Sequence, residues 1–212
     1  MFETIQGEGV FTGVPAVFVR LQECPVGCSW CDTKQTWYAE EKDQRQIGDI
    51  LVKTEDSPTW CFASAEDIVA EYKKQGFNAK HIVITGGEPC IYDLRALTAA
   101  FEEMDCQCQI ETSGTSEVVT SESTWVTVSP KVAMKGKLPV LKSALERANE
   151  IKHPVGTQKD IDQFDVLLAS AEIAEKTVIA FSLSVKSLAL PNCVLIPVLL
   201  ATGVCRFKLI NT

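Results

Sequence analysis

At 212 residues and 23.3 kDa the chain has room for one domain with at most an appendage, since a domain typically holds roughly 100–200 residues. A composition of 46% hydrophobic and 23% charged residues is that of a soluble globular protein with a sizeable core, which excludes a disordered or fibrous chain. The net charge of -8 and pI near 4.9 exclude a broad phosphate-binding surface, so nucleic acid is not an expected partner.

The first 13 residues carry two acids and three glycines where a signal peptide needs a basic start and an apolar run, so a cytoplasmic protein is expected. In a reducing compartment, nine cysteines point to metal or catalytic use rather than to disulfides. With only His81 and His153 present, a metal site must rest on sulfur and oxygen.

In chain order, the β-branched run at 15–22 predicts a strand with Arg20 near its end, and the first cysteines follow at once. Residues 39–58 are polar, without period, and read as an excursion. Ile68, Val69 and Tyr72 at helical spacing predict a helix over 65–75, capped by Ser64, with Asp67 in its first turn and Gly76 beyond its end. A buried strand at 81–85 runs into Gly86 and Gly87. A helix at 94–104, strands at 108–111 and 125–128, and a helix at 141–151 complete the pattern. Strands alternating with helices predict parallel βα units, whose chemistry gathers at the carboxyl ends of the strands. That rule selects four segments: the cysteines after Gln22, the stretch 85–88, the stretch 111–114 and the stretch 129–131.

Cys24, Cys28 and Cys31 put three thiols within eight residues on a loop holding Pro25 and Gly27. No second CxxC accompanies them, which argues against paired zinc knuckles and leaves zinc completed by one remote cysteine as the alternative. Iron-sulfur clusters normally take four thiolates, so three clustered ones point to a [4Fe-4S] centre with one iron open to a ligand.

The CxxxCxxC motif with Trp30 before its last cysteine, and GGEP at 86–89, resemble the radical S-adenosylmethionine superfamily. ETIQGEG at 3–9, GVPAVFVRLQ at 13–22, CDT at 31–33, IETSGT at 110–115, VSPK at 128–131 and EIKHPVG at 150–156 narrow this. Together, from near residue 2 to about residue 180, they resemble the 7-carboxy-7-deazaguanine synthase family of queuosine and deazapurine biosynthesis.

The resemblance implies an α/β fold, a partial TIM-like barrel, with a [4Fe-4S] cluster, S-adenosylmethionine and Mg2+ as cofactors. It implies that Cys24, Cys28 and Cys31 hold the cluster and that Thr33 is the magnesium ligand, a hard oxygen of the kind that ion prefers. Trp30, Asp32, Gly87, Ser129, Pro130 and Lys131 would contact S-adenosylmethionine. Ile5, Gln6, Gly7, Arg20 and Thr85 would contact substrate. Arg20 can bind a carboxylate bidentately. The reaction implied is a radical ring contraction of 6-carboxy-5,6,7,8-tetrahydropterin, with loss of ammonia, in a homodimer served by a flavodoxin-type reductant. The bland readings are a loop threonine at 33, a tight turn at Gly87, a solvated Lys131 and a surface Arg20. Glu8 and Glu88 receive no proton-transfer role. Cys61, Cys90, Cys106 and Cys108 read as small hydrophobes, and His153 as a loop or interface residue. Other readings are a glycyl-radical activase, an iron-sulfur electron carrier and a zinc-stabilised binding module.

Two departures from the family stand out. Glu23 occupies a position beside the first cluster cysteine where the family usually has glycine. Residues 176–212 contain no Asp or Glu, although the preceding residues hold all 28 acids. Translated one base out of frame with permitted codons, the sequence from Phe181 onward yields a tail ending in WRLSVQTHK, close to the family's closing segment. This reading expects a core domain at 1–180 and an aberrant tail at 181–212 in place of the last β-α-β segment, produced by a single-base frameshift near Phe181 that is either a pseudogene-like lesion or a sequencing error. The apolar part of that tail is too short and too broken by Pro191 and Pro197 to span a membrane.

Overall fold

A computed structural model of the chain describes residues 1–51 and 56–183, and the backbone of two short strands beyond them. The elements are β1 (Phe2–Ile5), β2 (Pro15–Leu21), α1 (Ile47–Leu51), α2 (Ala65–Lys74), β3 (His81–Gly86) and α3 (Arg95–Glu102). They continue as β4 (Gln107–Thr112), β5 (Trp125–Val128), α4 (Lys142–Arg147), β6 (Glu150–Val155), α5 (Gln158–Ala169) and β7 (Val178–Leu183). Strands β8 (Cys193–Leu195) and β9 (Leu209–Asn211) pair antiparallel in a separate sheet.

The main sheet has seven strands in sequence order, with β1 antiparallel to β2 and every later pair parallel. Among the described residues it is open, in the manner of a partial barrel, with β1 and β7 as its edges. The strands predicted at 15–22, 81–85, 108–111 and 125–128 and the helices at 65–75 and 94–104 form close to those bounds, and the stretch 39–58 holds the short α1. Ser64 Oγ accepts from the Asp67 N–H at 3.1 Å while Asp67 accepts from the Ser64 N–H at 2.9 Å, a reciprocal cap on α2. Gly76 follows at φ +69, a backbone conformation that glycine adopts without cost.

The helix predicted at 141–151 is corrected to the two turns of α4 followed by β6. Two interactions end the helix early. The Arg147 guanidinium donates to the carbonyls of Glu122 and Thr124 at 3.2 and 2.9 Å. Asn149 bonds Val126 through both its backbone N–H and its side-chain oxygen, at 2.9 Å each, which draws the chain into the sheet beside β5. His153 therefore lies in a strand rather than a loop, with its ring stacked on Phe164 at 4.6 Å.

Strand side chains alternate between two faces. On the helix-covered face, Ile82, Ile84, Cys108 and Ile110 pack with Val17, Val19, Leu97 and Phe101, and Val126, Val128 and Ile151 pack with Leu145 and Phe164. Each fully buried aliphatic or aromatic side chain stabilises the fold by about 1.5–3 kcal/mol. Cys90, Cys106 and Cys108 lie in this core as expected. Burial pushes the Cys90 and Cys108 thiols up to about 12, so neither is reactive near neutral pH. The opposite face carries His81, Gln109, Glu111, Thr127, Glu150 and Lys152, a polar lining that gives the sheet its site.

The boundary at 180/181 falls inside β7, where Phe181, Ser182 and Leu183 still pair with His153, Pro154 and Val155. Apart from that strand and the backbone of β8 and β9, the tail at 181–212 lies outside the described residues. No helix among the described residues is long and apolar enough to cross a membrane.

Candidate active site at the carboxyl ends of the strands

Cys24, Cys28 and Cys31 lie on the loop that leaves β2. Burial raises the Cys24 and Cys28 thiols above their ordinary value, and Cys31 adds to the rise of both. Lys131 faces Cys28 and acts in the opposite direction. The loop is wedged between two glycine turns. A Cβ on Gly87 would sit 1.9 Å from the Glu23 carbonyl oxygen, and one on Gly136 would sit 2.1 Å from the Pro25 carbonyl oxygen. Both turns also bond the loop, as Glu88 N–H donates to Glu23 O at 2.8 Å and Gly136 N–H to Val26 O at 2.9 Å. Gly87 is thus glycine because two loops cross there. Glu23 holds φ 72, in the left-handed region that favours glycine, which accounts physically for the family's usual residue. Its carboxylate accepts from the Tyr92 hydroxyl at 2.9 Å.

The turn after β3 is tied to the turn after β4 by Glu88, which is 1% exposed. Its carboxylate accepts from the Thr112 hydroxyl at 2.6 Å, the Ser113 N–H at 2.8 Å, the Cys90 N–H at 3.1 Å and the Ser113 hydroxyl. Buried and fully engaged with these partners, Glu88 positions two motifs. In the cysteine loop, Thr33 directs its hydroxyl to within 3.6 Å of Cys31 Sγ, and its carbonyl accepts from both the N–H and the hydroxyl of Thr36. Trp30 is 60% exposed and Asp32 is exposed beside it.

A strap formed by residues 6–14 crosses the polar face from β1 to β6. Gln6, itself buried, donates to Gln109 and Glu111 at 3.3 Å each. Glu150 accepts from the Val10 N–H at 3.2 Å, and a Cβ on Gly9 would collide with that carboxylate. The Lys152 ammonium bridges Glu8 at 2.7 Å and Glu111 at 3.1 Å. Burial works against the charge on Lys152, but Glu111 and Glu8 outweigh it and hold its pKa above the ordinary value. Burial pushes Glu111 up, against the pull of Lys152, whereas the hydrogen bond from Lys152 holds Glu8 down. Burial lowers Lys131, whose ammonium donates to Ser129 Oγ at 2.6 Å; it is not a solvated surface lysine.

The structure brings most of the expected site residues to one end of the sheet, but not all of them. Arg20 pairs with Thr85 across β2 and β3, and its guanidinium lies 5.6 Å from the Phe2 ring centroid. Ile5, by contrast, pairs with Pro15 at the other end of β2 and is 60% exposed. Five residues of strand separate Pro15 from Arg20, about 17 Å at the usual rise. Gly7 is exposed on the strap, while Gln6 points inward to Glu111. Sequence reasoning gave no individual role to Glu111, Lys152, Glu150 or Trp37, although Glu111 opens the selected stretch 111–114. The first three were visible as polar residues at alternate positions within strands, a period-two signal of a lined interior.

Among the described residues no group of three or more His, Cys, Asp or Glu side chains is arranged to hold a metal ion. A single zinc requires its sulfurs to converge at about 2.3 Å from one centre. A [4Fe-4S] cluster instead takes each thiolate on a different iron; Cys28 is buried and Cys24 and Cys31 are half-buried on the loop.

The open, largely parallel sheet with a three-cysteine loop at its carboxyl edge is the arrangement that the resemblance to radical S-adenosylmethionine domains implies. No protein-family model matches the chain. It is 57% identical over 180 residues to the 7-carboxy-7-deazaguanine synthase of Escherichia coli (strain K12), a match covering 85% of this chain and 81% of that one. Identity to the synthase of Buchnera aphidicola subsp. Schizaphis graminum is 45% over 168 residues, covering 79% and 75%. The crystal structure of QueE from Escherichia coli superposes with a TM-score of 0.83 at 57% identity, covering 85% of this chain and 79% of that one. The chain belongs to the 7-carboxy-7-deazaguanine synthase family.

Proposed function

We propose that the protein converts 6-carboxy-5,6,7,8-tetrahydropterin to 7-carboxy-7-deazaguanine, with ring contraction and loss of ammonia, in the cytoplasmic biosynthesis of queuosine. The observation that carries this reading is the cysteine loop, locked between Gly87 and Gly136 and faced by Lys131. Cys24, Cys28 and Cys31 would hold a [4Fe-4S] cluster, and Thr33 would supply an oxygen to Mg2+. When bound, the reduced cluster and S-adenosylmethionine supply the radical that starts the reaction.

The protein's own residues bind, orient and exclude water. Trp30, Asp32, Gly87, Ser129, Pro130 and Lys131 would line the S-adenosylmethionine site, while Arg20 and Thr85, adjacent in register, offer a fork and a hydroxyl to a carboxylated pterin. Gln6 and the strap behind it close the polar face, with Ile5 and Gly7 at its margin. The Glu8, Lys152 and Glu111 triad keeps charge fixed beneath the site. A flavodoxin-type reductant and a homodimer belong to the same proposal. A glycyl-radical activase is not favoured, since the relatives at 57% and 45% identity are synthases.

Anaerobic reconstitution of the full chain with iron and sulfide is the test, followed by reductant, Mg2+, S-adenosylmethionine and the tetrahydropterin, with product detected by mass. Formation of 7-carboxy-7-deazaguanine is expected. Conversion of S-adenosylmethionine to 5'-deoxyadenosine without that product would sink the substrate assignment.

A further inference from the structure

We propose that Trp37 clamps the cysteine loop and, through its indole N–H, raises the reduction potential of the cluster that the loop holds. The proposal rests on the cluster reading given above. One residue contacts both ends of the motif. Its backbone carbonyl accepts from the Cys24 N–H at 3.1 Å, and its indole Nε1–H donates to Cys31 Sγ at 3.4 Å.

The indole is fixed by its surroundings rather than free to turn away. Trp37 ends the single 3-10 turn Lys34–Thr36, donating its own N–H to Lys34 O at 3.2 Å. The Gln22 side-chain amide, from the end of β2, donates to the carbonyls of Gln35 and Tyr38 at 2.9 and 2.7 Å and so holds both flanks of Trp37. The Lys34 ammonium lies 6.0 Å from the ring centroid, and the Tyr38 ring meets the indole edge-on at 6.4 Å.

A cluster gains an electron on reduction, so a donor aimed at a ligating sulfur stabilises the reduced state more than the oxidised one. The indole is a donor only, so it can bond the sulfur in no other sense. Thr33 Oγ1, 3.6 Å from the same sulfur, is the second polar neighbour and stays in place when Trp37 is changed.

The experiment is a redox titration of the reconstituted full chain, followed by electron paramagnetic resonance, for the unmutated protein and Trp37→Phe. Phenylalanine keeps an aromatic ring and the carbonyl that receives Cys24 while removing the N–H donor. The expected result is a loaded variant whose one-electron reduction equilibrium is about tenfold less favourable, which is 59 mV toward negative potential. A loaded variant with an unchanged or raised potential overturns the proposal. If the variant takes up no cluster, the loop with Trp37 intact is probed through indole-15N tryptophan in a Trp30→Phe background, where a 15N coupling to the reduced cluster supports the bond and its absence overturns it. An unmutated chain that takes up no four-iron cluster defeats the underlying reading and the proposal together, an outcome distinct from an unshifted potential.

Discussion

The Glu88 carboxylate and the Ser113 N–H meet at 2.8 Å, joining the GGEP turn after β3 to the turn after β4 in the interior of the protein. Glu88→Ala leaves the Thr112 and Ser113 hydroxyls and two backbone N–H groups without this acceptor. A loss of about 2–3 kcal/mol is expected, since hydrogen bonds to a charged group are worth about 1.5–3 kcal/mol each and solvent relaxation recovers part. Urea denaturation measures it. A variant as stable as the parent would show that the carboxylate does not hold the two turns together.

Gly87→Ala and Gly76→Ala separate crossing from conformation. A Cβ at 87 meets the Glu23 carbonyl at 1.9 Å and must displace the cysteine loop, whereas one at 76 meets nothing within 4 Å and only strains a positive φ. The second change is expected to cost about 1 kcal/mol and to leave iron uptake intact. The first is expected to abolish iron uptake after reconstitution. Equal iron content in both variants would contradict this account of Gly87.

Stability should depend on pH through the Glu8 to Lys152 pair. Lys152 holds the Glu8 carboxyl below its ordinary value of 4.5, so its contribution is fully present above 4.5 and is lost as pH falls through the folded value. Lys152 is held above 10.5, so its contribution is present below 10.5 and is lost as pH rises through the folded value. The stability gap between the parent and Glu8→Gln should be constant at neutral pH and close in acid. It should also shrink in high salt, because Glu8 is 61% exposed. Urea midpoints across pH for both chains test this, and a gap that persists at pH 2 would refute the linkage.

The frameshift reading makes a claim about DNA. A one-base lesion near codon 181 should appear on sequencing codons 175–190, and its repair should raise soluble yield and product formation, because the restored closing segment would cover β7, the last strand of the main sheet among the described residues. An unbroken frame across independent reads would defeat sequencing error as the cause.

The sequence alone determined the parallel βα pattern, the capped helix α2, the cysteine loop and its family, because each rests on local chemistry: alternation, capping residues, glycine turns and thiol spacing. It also marked Glu23 as out of place, and the positive φ there supplies the reason. What it could not determine depends on contacts between residues distant in the chain. The end of α4 was decided by Arg147 and Asn149 reaching to residues 122–126. The lowering of Lys131 was decided by its burial in the assembled fold, and the charge triad of Glu8, Lys152 and Glu111 by the strap crossing the sheet. Gly87 and Trp37 acquired their roles only when the chain brought Glu23, Cys24 and Cys31 beside them. Desolvation and close approach are properties of the assembled fold, since no local stretch of sequence specifies what will lie across from it.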